Sequence, residues 1–294
     1  MTPAGRGFLL LCSHLGNPDR HPLTAAQLRQ LAVRVTGRRE ETGEGSLTPQ
    51  HLVALGYSWS MARHITGLMG EEALLDRYLA KAGDCVPIPR GEGAYPLLLR
   101  QRLGLDSPGC LWARGNEKLL HTPAVALVGS RDIGEPNGEF ARQVGIQAAR
   151  QGLTLVSGNA RGADRMAQRA CLQAGGRVIS FVADDLRSHP GGENLLFLSQ
   201  EDYDAPFSAQ RALSRNRCIH ALGLAVFVAQ AELGQGGSWD GTVKNLHQGW
   251  SPVACFADGS EAMARLMDQG AAPVSMAQLG DLRGFAQRDS CLWQ

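Results

Sequence analysis

The sequence predicts an α/β fold: a doubly wound, mostly parallel sheet preceded by a small helical domain. Three observations predict it. From Ala124 onward, short apolar runs alternate with helix-length segments, as strands buried on both faces do between crossover helices. Before residue 82 the patterning is helical only. Between the two lies a stretch rich in Pro and Gly, residues 86–96, which suits neither a helix interior nor a central strand. At 294 residues the chain can bury more than one core.

Helices are expected over 23–35, 49–55, 59–69 and 71–81, making residues 1–82 a small helical domain of the SAM or helix-hairpin-helix kind. Thr24 and Thr48 suit N-caps, the second followed by Pro49 at the first helical position. Gly43, Glu44 and Gly45 mark a loop. Residues 83–123 read as a connector with a short helix over 97–102 and an edge strand over 110–113. Strands are then expected over 124–128, 154–157, 178–182, 225–229 and 253–256. The helices between them cover 137–150, 164–174, 217–222, 242–248 and 261–269. Residues 124–272 thus form one doubly wound domain. Right-handed crossovers would place the Gly-rich loops along one rim. Residues 273–294 read as a C-terminal appendage.

Composition removes several classes. No apolar run has the length to span a bilayer. The apolar stretch at 7–12 is too short for a signal peptide and has no clean cleavage site, so a cytoplasmic location is expected. The seven cysteines, Cys12, Cys85, Cys110, Cys171, Cys218, Cys255 and Cys291, contain no C-x-x-C pair, so neither a metal site nor a disulfide framework is expected. Net charge is +1, so a nucleic-acid ligand would need a local basic stripe. Lysine occurs only at Lys81, Lys118 and Lys244; the remaining positive charge is arginine, whose planar fork suits phosphates.

Four loops carry the chemistry. In the first, Gly129 lets backbone approach a phosphate, Ser130 adds a hydroxyl and Arg131 a fork of donors. The second runs Ser157-Gly158-Asn159-Ala160-Arg161-Gly162-Ala163-Asp164; its arginine stands between two glycines at a strand-to-helix turn, and Asp164 can cap the helix. Helix N-termini favour anions, so both loops suit a phosphate. The third is Arg215-Asn216-Arg217. If it folds onto the same rim, Arg131, Arg161, Arg215 and Arg217 make one patch. The fourth is the Gly-rich run 234–242 with Gly237, Ser238 and Trp239, whose indole either stacks on a base or packs beneath the loop.

Absences matter as well. Gly129, Gly134 and Gly138 are spaced wrongly for the dinucleotide fingerprint, and no G-K-[ST] follows a glycine run, so no cofactor is expected. No Ser-His-Asp, Cys-His or metal-ligand spacing stands out, and no catalytic residue is assigned.

Taken in order, these motifs resemble the DprA (Smf) family of DNA-processing proteins of bacterial transformation. The likeness covers roughly residues 50–258. It rests on Tyr95-Pro96, Pro108-Gly109-Cys110-Leu111 leading to Arg114-Gly115-Asn116, the Val-Gly-Ser-Arg turn, the Ser-Gly-x-Ala-Arg-Gly-x-Asp loop, Arg215-Asn216-Arg217 and Gly237-Ser238. The resemblance implies an extended Rossmann-like fold and a homodimer without enzymatic activity. That dimer would bind and protect single-stranded DNA and deliver it to the RecA recombinase. It also implies that Ser130, Arg131, Gly158, Arg161, Gly162, Arg215 and Arg217 line the DNA pocket. The chain departs from the family pattern at Asn159, where a hydrophobic residue is usual, and after Ser238, where Trp-Asp-Gly-Thr replaces Leu-Ile-Thr-Ala. The tail leaves room for only a stub, so no winged-helix domain is expected.

A second reading stays open: a nucleotide sensor, or a hydrolase of the nucleotide N-glycosidic bond. Asn159 and the Gly241-Thr242 pair favour it. Cleavage would need a positioned carboxylate, with Asp164, Asp240 and Glu232 as candidates.

Overall fold

The structure is a computed structural model and describes residues 1–36 and 47–289. The loop expected at Gly43–Gly45, and Cys291, lie outside the described residues.

Among the described residues, five helices come first: α1 (Pro3–Cys12), α2 (Ala25–Thr36), α3 (Pro49–Ala54), α4 (Trp59–Met69) and α5 (Glu72–Ala80). The first was not expected from sequence. Its start signal is Thr2, whose side chain accepts from the Gly5 N–H, followed by Pro3 in the first turn. Thr48 and Ser58 cap α3 and α4 in the same way. Arg20 is buried and ties the group together. Its guanidinium donates to the carbonyls of Ser13, Leu10 and Leu68 and pairs with Glu71 at 2.5 Å.

The remaining elements are β1 (Val86–Pro89), α6 (Leu97–Leu103), β2 (Cys110–Gly115), β3 (Ala124–Val128), α7 (Glu135–Arg150), β4 (Thr154–Ser157), α8 (Ala163–Gln173), β5 (Arg177–Phe181), β6 (Leu195–Ser199), α9 (Ala209–Ser214), α10 (Asn216–Leu222), β7 (Val226–Val228), α11 (Gly236–Gln248), β8 (Val253–Phe256), α12 (Glu261–Asp268) and β9 (Ala272–Val274). One sheet holds all the strands in the order β1-β2-β6-β5-β4-β3-β7-β8-β9. From β6 to β9 every pairing is parallel; β1–β2 and β2–β6 are antiparallel.

The connector of the sequence reading therefore contributes two strands to this sheet. Pro87 and Pro89 are tolerated because β1 is the outermost strand. Pro273 is accommodated likewise in β9, at the opposite edge. Strand β6 is absent from the sequence reading. Its Leu-Leu-Phe-Leu run has no β-branched residue, so propensity gives little signal, and its burial between β5 and β2 decides the conformation.

Alternation along the strands sorts the core onto two faces. On β3, Ala124, Ala126 and Val128 pack with α6, α10 and α12, whereas Val125 and Leu127 pack with α7 and α8. A third cluster joins the N-terminal helices to the sheet. Tyr78 stacks on Tyr203 at 4.5 Å, Trp112 meets Tyr203 edge-on at 4.8 Å, and the Tyr78 hydroxyl donates to Asp204 at 2.7 Å.

The chain order fixes where a ligand can sit. Strands run outward from β3 to β4, β5 and β6, then return to β7 on the other side of β3. The reversal between β3 and β7 opens a crevice at the carboxyl ends of the strands, the usual ligand position in such sheets.

Candidate nucleic-acid interface

Two loops at that reversal pack as one unit, and glycines make this possible. Gly162 has φ +82°, and a Cβ there would lie 2.4 Å from the Ser130 carbonyl oxygen and 2.5 Å from that of Arg131. A Cβ on Gly129 would lie 2.5 Å from that of Ala163. The Ala163 N–H donates to the Ser130 carbonyl at 3.2 Å. The Gly129–Arg131 turn thus lies against the start of α8.

The Gly158 loop is held from below by two buried charges. Asp164 is 6% exposed, and its carboxylate accepts the N–H groups of Gly158 at 3.1 Å and Ala160 at 3.2 Å. Burial pushes this carboxyl up to about 6, against the lowering effects of Arg215 and the two backbone donors. Arg215 is also 6% exposed and donates to the Gly158 carbonyl at 2.5 Å. Burial lowers its guanidinium pKa, and Asp164 opposes that effect. Asn159 sits between these supports with φ +57°, a left-handed conformation that Asn tolerates better than most side chains. Backbone geometry accounts for the residue that in the sequence reading favoured a free nucleotide.

One expectation changes here. Three of the backbone donors that the second loop would offer to a phosphate are already engaged. Gly158 and Ala160 donate to Asp164, and Ala163 at the start of α8 donates to Ser130. The guanidinium groups around this loop therefore add to what its remaining backbone donors offer an anion.

Two clefts border the loops. The first, about 320 Å³, holds Arg131, Arg161, Arg165 and Arg215 around Gly158 and Asn159. Arg161 is exposed and pairs with Asp132 at 2.5 Å. The second, about 400 Å³, lies at the β3/β7 reversal between Gly129–Asp132 and Gly236–Ser238, with Arg215, Asn216 and Glu232 in its walls. Ser157 lies beneath them, fully buried, its hydroxyl accepting from Gln168 at 2.6 Å. Asn216 donates to the Gly237 carbonyl at 3.0 Å and so ties the third loop to the fourth.

Two expected members stand apart. Arg217 faces a different cleft, next to the N-terminal helices, because two residues along a helix turn a side chain by about 200°. Trp239 lies in the first turn of α11 and packs partly buried against the core, so the four arginines and the indole do not form one patch. Among the carboxylates, Glu232 accepts from Gln235 at 2.8 Å, Asp240 is exposed on α11 outside both clefts, and Asp164 is occupied as described.

Sequence reasoning missed Phe207. It is 61% exposed yet lines the arginine cleft, as does His189. The only hint is an aromatic directly after Pro206, in a segment otherwise polar or small.

Comparison with known proteins agrees with this architecture. DprA from Streptococcus pneumoniae is 30% identical over 188 residues, 59% of this chain and 66% of that protein. Protein Smf from Escherichia coli is 32% identical over 203 residues, 64% of this chain and 54% of that protein. The matched region therefore spans between about half and two thirds of these relatives. The crystal structure of the S. pneumoniae protein superposes with a TM-score of 0.73 at 24% identity, covering 95% of this chain and 96% of that one. A DprA structure from Helicobacter pylori, described for its single-stranded DNA binding mode, gives 0.56 at 23% identity, covering 70% and 96%. The sequence model of the DNA recombination-mediator protein A family matches residues 87–281, and the chain belongs to that family.

Proposed function

We propose that this chain binds single-stranded DNA in the arginine cleft and acts in DNA processing during DNA uptake and recombination. One observation carries the reading: Arg131, Arg161 and Arg165 share a cleft with an exposed aromatic ring, Phe207. Guanidinium groups hold phosphates, and an exposed ring stacks on any unpaired base; together they recognise a single strand with little sequence preference. The name of the H. pylori relative, a single-stranded DNA binder, supports the same ligand. The buried Arg215 acts differently. It braces Gly158 and adds positive charge from beneath, without reaching out to a phosphate. In this reading the chain binds DNA without cleaving it. The family resemblance extends the proposal to a cytoplasmic homodimer that shields the strand and passes it to RecA.

A second reading keeps one observation in its favour. The cleft at the β3/β7 reversal has the size and position of a mononucleotide pocket and carries Ser130, Asn216 and Glu232. Melting curves with a mononucleotide panel and with a short oligothymidine separate the two. Stabilisation by the oligonucleotide alone supports the proposal; stabilisation by a mononucleotide, or release of free base, supports the alternative.

A further inference from the structure

The N-terminal helices carry a surface that the arginine cleft does not use. Helix α4 buries Ala62, Ile65 and Leu68 in an apolar cluster shared with α1, α2 and α3. Its opposite face presents Trp59, Arg63 and Gly67, all exposed and spaced four residues apart, so they form one row along the helix. Each step in that row is about 6 Å along the axis. The row lies outside residues 87–281, the part of the chain that the family model matches.

Packing accounts for neither Trp59 nor Gly67. Trp59 is 50% exposed, stands outside the cluster beneath α4 and meets no other aromatic ring among the described residues. Leaving an indole half in water forfeits burial that this large apolar ring ordinarily gains. Glycine weakens a helix relative to alanine. Yet a Cβ on Gly67 would meet nothing within 4 Å, so no neighbour among the described residues requires the glycine. It leaves the row low at one end, where another backbone can lie against the helix.

Charge selects the class of partner. The described part of residues 20–70 holds no carboxylate. Arg20 is engaged with Glu71, Arg29 with Asp106, and Arg34 with the carbonyls of Leu55 and Gly56. Arg63 has no ion-pair partner among the described residues, and the indole of Trp59 lies one turn away. An anionic chain bearing flat apolar groups satisfies both side chains, with a phosphate on the guanidinium and an unpaired base on the indole.

We propose that the outer face of α4 is a second contact surface for single-stranded DNA, with Trp59 stacking on a base and Arg63 holding a phosphate. The proposal extends the single-strand reading above to the N-terminal helices and rests on that reading for the class of ligand.

Tryptophan fluorescence of the full chain provides the test, because Trp59 is half-exposed whereas Trp112 is buried and Trp239 and Trp250 are partly buried. An oligothymidine of about 20 nucleotides should quench the wild type, and Trp59→Phe should abolish the quench while its affinity by anisotropy stays within about threefold, since a phenyl ring still stacks. Arg63→Ala should weaken binding about fivefold and lower the salt slope by about 1. Gly67→Ala should raise the melting temperature, and Gly67→Gln, which fills the low end of the row, should weaken binding several-fold without loss of stability. Binding without quenching, or unchanged affinity in Arg63→Ala, overturns the proposal and leaves the single-strand reading standing. Quenching by a polyglutamate peptide at lower concentration than the oligonucleotide overturns it in favour of an acidic protein partner. A wild-type chain that binds no oligonucleotide at low salt overturns both.

Discussion

Gly158 sits directly over the guanidinium of Arg215: the carbonyl accepts at 2.5 Å, and a Cβ on Gly158 would come within 1.8 Å of the arginine's Nη1. No side chain fits there without displacing a buried charge. Gly158→Ala should therefore cost about 1–3 kcal/mol of stability by overpacking and weaken oligonucleotide binding by about tenfold or more. Thermal melting and an anisotropy titration measure the two effects. A variant with unchanged melting and unchanged affinity would show that Arg215 moves aside freely.

Asp164 gives the loop a pH dependence of known sign. Its folded pKa of about 6 lies above the ordinary 3.8, so between those values the folded state holds a proton that the unfolded state has lost. Its contribution is greatest below 3.8 and declines as pH rises through about 6, by roughly 2–3 kcal/mol at most. Asp164→Asn keeps an acceptor for the Gly158 and Ala160 N–H groups, and should remove this dependence from a series of denaturant melts. Oligonucleotide affinity should also rise in the wild type as pH falls through about 6, because the negative charge beneath the cleft is neutralised; in Asp164→Asn that rise should vanish.

His220 acts in the opposite direction. It lies on α10, completely buried, with neither ring nitrogen hydrogen-bonded, and burial lowers its pKa to about 3. The unfolded chain takes up a proton near 6.5 that the folded chain refuses until about 3, so stability falls as pH drops through that window, by roughly 3–5 kcal/mol. His220→Leu should flatten the acid limb. The two titrations overlap and partly cancel in the wild type, so each variant should reveal the other's slope.

In the proposed complex, Asp132 would compete with DNA for Arg161. The pair is 2.5 Å apart with both side chains mostly exposed, so it adds little to stability. Asp132→Asn should leave melting within about 0.5 kcal/mol and tighten oligonucleotide binding several-fold, measured at low salt where exposed charges act most strongly.

Phe207 tests the stacking half of the site. Being 61% exposed, it contributes little to packing. Phe207→Ala should leave melting unchanged and cost about 1–3 kcal/mol of single-strand affinity, while Phe207→Trp keeps it. Binding to duplex DNA, whose bases are already stacked, should not respond.

The sheet was largely legible from sequence because its central strands are short, apolar and flanked by glycine loops. Strands β3, β4 and β5 show this plainly. Strand β6 was hidden because leucine and phenylalanine fit a buried helix as well as a strand, and only the neighbours β5 and β2 decide. In the same way, the sequence locates Arg131, Arg161 and Arg215 at loop positions on one rim, but side-chain direction is a tertiary property. Arg217 is two residues from Arg215 and faces another cleft, and Trp239 follows a glycine run yet packs inward. Phe207 was overlooked for a related reason. Nothing in a lone aromatic after a proline says that it will stay exposed.

The most direct test of the account is the salt dependence of short oligothymidine binding by the wild type and by an Arg131→Ala, Arg161→Ala double variant. Phosphate contacts release counterions, so log affinity should fall linearly with log salt, and the double variant should lower that slope by about 2. An unchanged slope, or a wild-type chain that binds no oligonucleotide at low salt, would contradict the arginine cleft as the DNA-binding site.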